Sequence, residues 1–93
     1  MTVGLLTLEI ELPYAHSLKE KRMVVRRVKD RLRSKFNVAV AEVDHQELWQ
    51  RTVLAVASVS SSEANLRQVL DGAQSETEHL LGSDLVHATI EIL

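Results

Sequence analysis

Ninety-three residues without a cysteine exclude a disulfide framework, a thiol nucleophile and any thiolate metal site, and no apolar run approaches the roughly 18 residues of a membrane-crossing helix. Hydrophobic residues make up 45% of the chain and charged residues 26%, the proportions of a soluble globular protein, so one domain over residues 1–93 is expected. The formal net charge of −2 conceals an uneven distribution: nine of the eleven lysines and arginines lie between Lys19 and Lys35 with only Glu20 and Asp30 to offset them, while the rest of the chain holds two basic and eleven acidic residues.

The opening MTVGLLTLEI has no basic leader and acquires Glu9, unlike a signal peptide, which points to a cytoplasmic protein. Val3 to Leu12 alternates, with Leu6, Leu8, Ile10 and Leu12 on one side and Leu5, Thr7, Glu9 and Glu11 on the other, the pattern of a strand with one buried face. Pro13 ends it. Ser17 and Glu20 then stand at the spacing of a capping box and open a helix running to about Lys35, with Leu18, Val25, Val28, Leu32 and Phe36 as its buried stripe. Asn37 to Gln46 is valine-rich and alternating, a second strand. Glu47 to Gln50 turns the chain, and Thr52 to Ser60 is a third. Ser60 and Glu63 repeat the capping-box spacing ahead of a second helix to about Leu81, with Leu66, Val69, Leu70, Ala73 and Leu80 facing the core. Gly82 suits the stop of that helix, and Leu85 to Leu93 alternates as a last strand. The order β-α-β-β-α-β, closed by right-handed crossovers, predicts an α+β ferredoxin-like sandwich: a four-stranded antiparallel sheet of order 4-1-3-2 with both helices on one face.

On the first helix, Lys19, Arg22, Arg26, Lys29 and Arg33 fall within roughly an 80° arc at 100° per residue, one above another beside the buried stripe. Arg27, Arg31 and Lys35 lie on the opposite flank with Glu20. Aligned cations repel by a few tenths of a kcal/mol per neighbouring pair, and those of the first turn oppose the helix dipole, so helix stability alone would not select this arrangement. The bland reading is a solvated amphipathic helix whose long side chains cover the core edge. The functional reading is a polyanion-binding flank that meets phosphates with little sequence preference.

The open sheet face is a poor place for RNA: Tyr14, Phe36 and Trp49 all miss the centres of the predicted strands, and Glu9, Glu11 and Glu91 point outward. Its Ala39, Ala41, Val43, Val53, Ala55, Ala57 and Val59 are apolar, which suits cover by a partner or a second copy as well as a small uncovered alanine surface. His16, His45, His79 and His87 are scattered without a two-ligand spacing, so no metal site is expected. Asp44, His45, Gln46 and Glu47 alternate between faces and bring no nucleophile or anion cradle with them. Ser58, Ser60, Ser61 and Ser62 are explained by a strand end and a helix start. Acylphosphatases have this size and fold, but their glycine-rich anion loop with its arginine is missing here, where the chain reads LPYAHSLKEKR. No catalytic residue, cofactor or small-molecule substrate is identified, and an enzyme is the least expected class. Trp49 is expected to pack back from the hairpin and close one end of the core, although a lone loop tryptophan also serves as an interface anchor.

Three blocks, Leu12 to Arg22 (LPYAHSLKEKR), Lys35 to Arg51 (KFNVAVAEVDHQELWQR) and the SVSSS helix start at Ser58 to Ser62, resemble the YlxP-like family of small bacterial proteins of unknown function, over essentially the whole chain. The resemblance implies a ferredoxin-like fold and no cofactor or catalytic residue. Members are commonly encoded beside translation-initiation and ribosome-maturation factors, so it also implies an RNA- or ribosome-associated role. Together these readings lead to a non-enzymatic binding protein that meets RNA, or the ribosome, through Lys19, Arg22, Arg26, Lys29 and Arg33. The alternative is a homodimeric interaction module for an acidic protein.

Overall fold

In the computed structural model, which describes residues 1–93, each predicted element is present with its ends adjusted. Strand β1 spans Thr2–Glu11, helix α1 Leu18–Lys35, strand β2 Ala39–Asp44, strand β3 Arg51–Ser60, helix α2 Glu63–Leu81 and strand β4 Leu85–Ile92, with a 3-10 turn at Gly82–Asp84. The sheet order is β2-β3-β1-β4, all neighbours antiparallel, which is the expected 4-1-3-2 read from the other edge. The fold is ferredoxin-like.

The alternation in β1 determines which face the helices cover. Leu6, Leu8 and Ile10 are buried and stand opposite Val56, Leu54 and Thr52 of β3, while Leu5, Thr7 and Glu9 look the other way. Leu66, Leu70 and Ala73 of α2 and Val25, Val28 and Leu32 of α1 close over the inward set to form one core cluster. Gly4 belongs to the same contact. A Cβ there would stand 2.7 Å from a methyl of Leu70 and 3.0 Å from one of Leu66, so α2 approaches β1 as closely as it does because that position carries no side chain.

One helix boundary and part of one apolar stripe differ from expectation. The cap of α2 is Ser62, whose hydroxyl accepts from the Asn65 amide at 3.3 Å, and not Ser60. Ser60 is still in β3, paired with Thr2 in the register, so the strand holds it extended; its hydroxyl instead accepts from the Ser62 amide at 3.1 Å. In the apolar stripe of α2, Thr77 and Leu81 are buried and Val69 and Leu80 only partly so. Thr77 is satisfied there by donating its hydroxyl hydrogen to the Ala73 carbonyl at 2.8 Å. Gly82 ends the helix at φ 55°, ψ −128°, a conformation essentially reserved for glycine.

Candidate nucleic-acid interface

The start of α1 is built as the capping-box spacing predicts, with one difference. Ser17 accepts from the Glu20 amide at 3.1 Å, but Glu20 reaches back to the amide of His16, not of Ser17, at 2.9 Å. Either way a free donor of the first turn is satisfied, and the helix that presents the cations is anchored at its entry.

Along α1 the inward stripe is Lys21, Val25, Val28 and Leu32. Lys21 is wholly buried. A buried ammonium needs a full set of partners, and Lys21 has them: its Nζ lies 3.0 Å from a carboxylate oxygen of Glu42 on β2 and donates to the carbonyls of His45 at 2.7 Å, Gln46 at 3.0 Å and, more weakly, Arg51 at 3.4 Å. The same Glu42 oxygen accepts the hydroxyl of buried Thr52 in a very short hydrogen bond. Glu42 faces inward because Val40 and Glu42 occupy alternate positions of β2. A bulge between Glu42 and Asp44, opposite Leu54 and Val53, then interrupts the alternation and leaves Asp44 exposed. This polar cluster fastens α1 to both arms of the β2–β3 hairpin beside its turn.

The nine cations of α1 divide three ways. Lys21 is the buried clamp. On the second flank, Arg31 and Lys35 each lie 3.0 Å from an oxygen of Glu76 on α2, and Arg27 makes a long contact of 3.5 Å to the Leu80 carbonyl. The Lys35 ammonium, hydrogen-bonded to Glu76, holds that carboxyl below its ordinary range with help from Arg31 and His79, against a smaller opposing push from desolvation. The remaining five, Lys19, Arg22, Arg26, Lys29 and Arg33, have no carboxylate within salt-bridge reach. Four of these, Arg22, Arg26, Lys29 and Arg33, line a shallow groove of about 360 Å³ with Val25, Asp30 and Glu42. Lys19, one turn nearer the helix start, stands outside it. Arg33 also donates to the Val40 carbonyl on the edge strand at 3.1 Å, which orients its guanidinium along the groove. Of the two acids in the groove, Glu42 is already engaged by Lys21.

Other candidates are placed differently. The lone tryptophan does not close the core: Trp49 is 52% exposed, at a hairpin tip whose backbone is fixed from behind. The Leu12 amide donates to the Gln50 carbonyl at 2.9 Å, and the Gln50 side chain donates to the carbonyls of Pro13 and Ala15, so the tip is tied to the β1–α1 loop with Trp49 turned outward. Within the segment 44–47, Asp44 accepts from the His45 amide at 2.8 Å, which supports a left-handed φ of 59° at His45, and Gln46 donates to the Glu42 carbonyl. These are turn-forming contacts. Ser58 donates to the Asn37 carbonyl at 2.7 Å, tying β3 to the segment that enters β2. On the open sheet face, Val43 and Val59 are about half exposed, and Glu9, Glu11 and Glu91 line the side away from the α1 groove.

The chain is similar to known proteins in sequence and, separately, in fold. Residues 3–90 match the family described as "Protein of unknown function (DUF503)". "Uncharacterized protein YlxP" of Bacillus subtilis (strain 168) is 48% identical over 60 residues, a match spanning 60% of this chain and 65% of that protein. The chain thus covers just under two thirds of that relative's length. Among solved structures, the solution NMR structure of a de novo designed protein with a ferredoxin fold superposes with a TM-score of 0.54 at 15% identity, over 100% of this chain and 83% of the designed one. At that identity the likeness concerns the fold alone.

Proposed function

Since this chain belongs to the YlxP-like family of proteins of unknown function (DUF503), we propose from its own surface that it is a non-enzymatic RNA-binding protein, free or on the ribosome, and that it meets phosphates through Arg22, Arg26, Lys29 and Arg33 with Lys19 at the entry. The observation that carries this reading is the division of charge on α1. Every cation on the second flank has an acid or a carbonyl on α2, whereas the flank above the β2 edge presents five cations with no acidic partner. Side chains that repel one another, with only Asp30 left in the groove to offset them, suit an external polyanion. Guanidinium groups add two-pronged donation to phosphate oxygens.

The reading has a quantitative signature. Four to five phosphate contacts on a single strand give a slope of about −3 in log affinity against log salt, so raising salt from 50 to 200 mM weakens binding on the order of a hundredfold. Arg22→Glu/Arg26→Glu/Lys29→Glu is expected to abolish retention on immobilised RNA at low salt while the circular dichroism spectrum stays native. Undiminished retention would refute the proposal.

A second reading is favoured by the half-exposed Val43 and Val59 on the uncovered sheet face: a homodimeric or protein-binding module whose cationic flank meets an acidic partner. Light scattering separates the two, because a complex unaffected by nuclease contains protein rather than RNA.

A further inference from the structure

We infer that the β2–β3 hairpin tip is a stacking site for one unpaired base of RNA, with Trp49 as the platform, so that the protein prefers single-stranded to duplex RNA. This rests on the RNA reading above and specifies the class of RNA.

Four observations support it. Trp49, the only tryptophan, is half exposed, yet the chain on either side of it is held, by the Gln50 contacts to the β1–α1 loop and by the Lys21 ammonium beneath the carbonyls of His45 and Gln46. A loop tied down on both sides of an outward indole presents an aromatic surface. The indole forms part of an open recess of about 530 Å³ lined by Glu47, Leu48, Trp49, Gln50 and Arg51. The recess adjoins the cationic groove across the buried cluster: Glu42 is on the wall of the groove, Arg51 on the wall of the recess, and an oxygen of each lies within 3.4 Å of the same Lys21 nitrogen. On this reading, a strand whose phosphates occupy the groove continues to the tip.

The composition of the tip favours a base over a phosphate. Glu47 repels phosphate but accepts hydrogen bonds from the amino groups of bases, while Leu48 and Trp49 offer apolar surface to a base face and Arg51 a cation beside it. Aromatic platforms alongside cationic tracks are the recurrent means of holding single strands, because any base can stack. In a duplex the bases are already stacked, and the deep, narrow groove of A-form RNA keeps side chains from their edges.

The test uses the intrinsic fluorescence of Trp49, which no other indole obscures. The full-length protein is titrated at low salt with a single-stranded oligocytidylate and with a blunt RNA duplex of equal length. The single strand is expected to quench or shift the emission and to bind about tenfold more tightly than the duplex. Trp49→Ala should lose about tenfold in affinity for the single strand and little for the duplex, while Trp49→Phe retains most of the preference. If both RNAs bind equally, the emission does not change and Arg22→Glu/Arg26→Glu/Lys29→Glu still abolishes binding, the stacking site is overturned and the RNA reading stands. If neither RNA binds, both fall, and an emission change on self-association or on adding an acidic protein would then mark the tip as a protein contact.

Discussion

Replacing Lys21 by methionine isolates the buried clamp from the surface cations. Methionine matches the aliphatic stem, so the cavity left behind is small, and the loss is electrostatic. Glu42, 16% exposed, loses its only cation and keeps the Thr52 hydroxyl. The carbonyl of His45 keeps the Leu48 amide at 3.1 Å, but those of Gln46 and Arg51 lose a donor. Removing one member of a buried pair costs about 3–5 kcal/mol, and each neutral acceptor left without its donor about 1 kcal/mol more where water cannot replace it. Partial hydration of Glu42 works against the upper end, so a loss of about 3–5 kcal/mol is expected. In a domain of this size, where total stability is about 5–15 kcal/mol and the melting point falls roughly 4–8 °C per kcal/mol, that means melting on the order of 20 °C lower. Urea unfolding followed by far-ultraviolet circular dichroism measures it. Lys21→Met/Glu42→Leu should recover part of the loss, because removing both charges leaves no unpaired ion. A single variant within about 1 kcal/mol of the parent, or a double variant no better than the sum of the singles, would refute the clamp.

Glu76→Gln should destabilise the protein at neutral pH but not in acid. The lowered folded-state value of this carboxyl means that its contribution is fully present above the unfolded value near 4.5 and vanishes as pH falls through the lower folded value, so the unfolding curves of parent and variant should converge in that window. Gly82→Ala should cost about 1–3 kcal/mol in chemical unfolding, because its φ of 55° with ψ −128° strains any Cβ although no atom crowds the site. Gly72→Ala should be close to neutral or mildly destabilising: the helix gains about 1 kcal/mol in propensity, but a Cβ would stand 2.8 Å from the Phe36 ring, and a clear gain in stability would show that the ring moves freely. Trp49→Ala should change stability by less than about 1 kcal/mol, since half of the indole is already in water.

The architecture and the cationic flank were legible in the sequence because both are periodic. Alternation exposes strand faces, a 3.6-residue repeat exposes helix faces, and Arg22, Arg26, Lys29 and Arg33 follow that repeat into one groove. Charge alone hides the clamp, because Lys21 is one of nine cations between Lys19 and Lys35. Its position was nonetheless informative: the apolar stripe passes from Leu18 to Val25, and the residue that keeps the repeat between them is Lys21. Glu42 shows the same signal, the one acid continuing the inward alternation of Val38 and Val40. Trp49 and the Ser62 cap were not readable in this way, because each depends on a non-local tie. Gln50 is held by the β1–α1 loop, and Ser60 is kept in the sheet by its pairing with Thr2. Nor does charge periodicity reveal which cations are neutralised. That depends on Glu76 arriving from α2, more than forty positions along the chain from either of its partners.

The position of β1 has a consequence for how the protein is made. The first strand of the domain to be made lies inside the sheet, bonded on one side to β3 and on the other to β4, and the Leu93 amide donates to the Val3 carbonyl at 2.8 Å. One flank of β1 stays unpaired until the last strand of the domain has emerged. During synthesis the chain therefore carries an open apolar strand edge, of the kind that invites aggregation, and can reach its folded state only after β4 is clear of the exit tunnel. Meanwhile α1 and its cations are already outside, next to the ribosome that is making them.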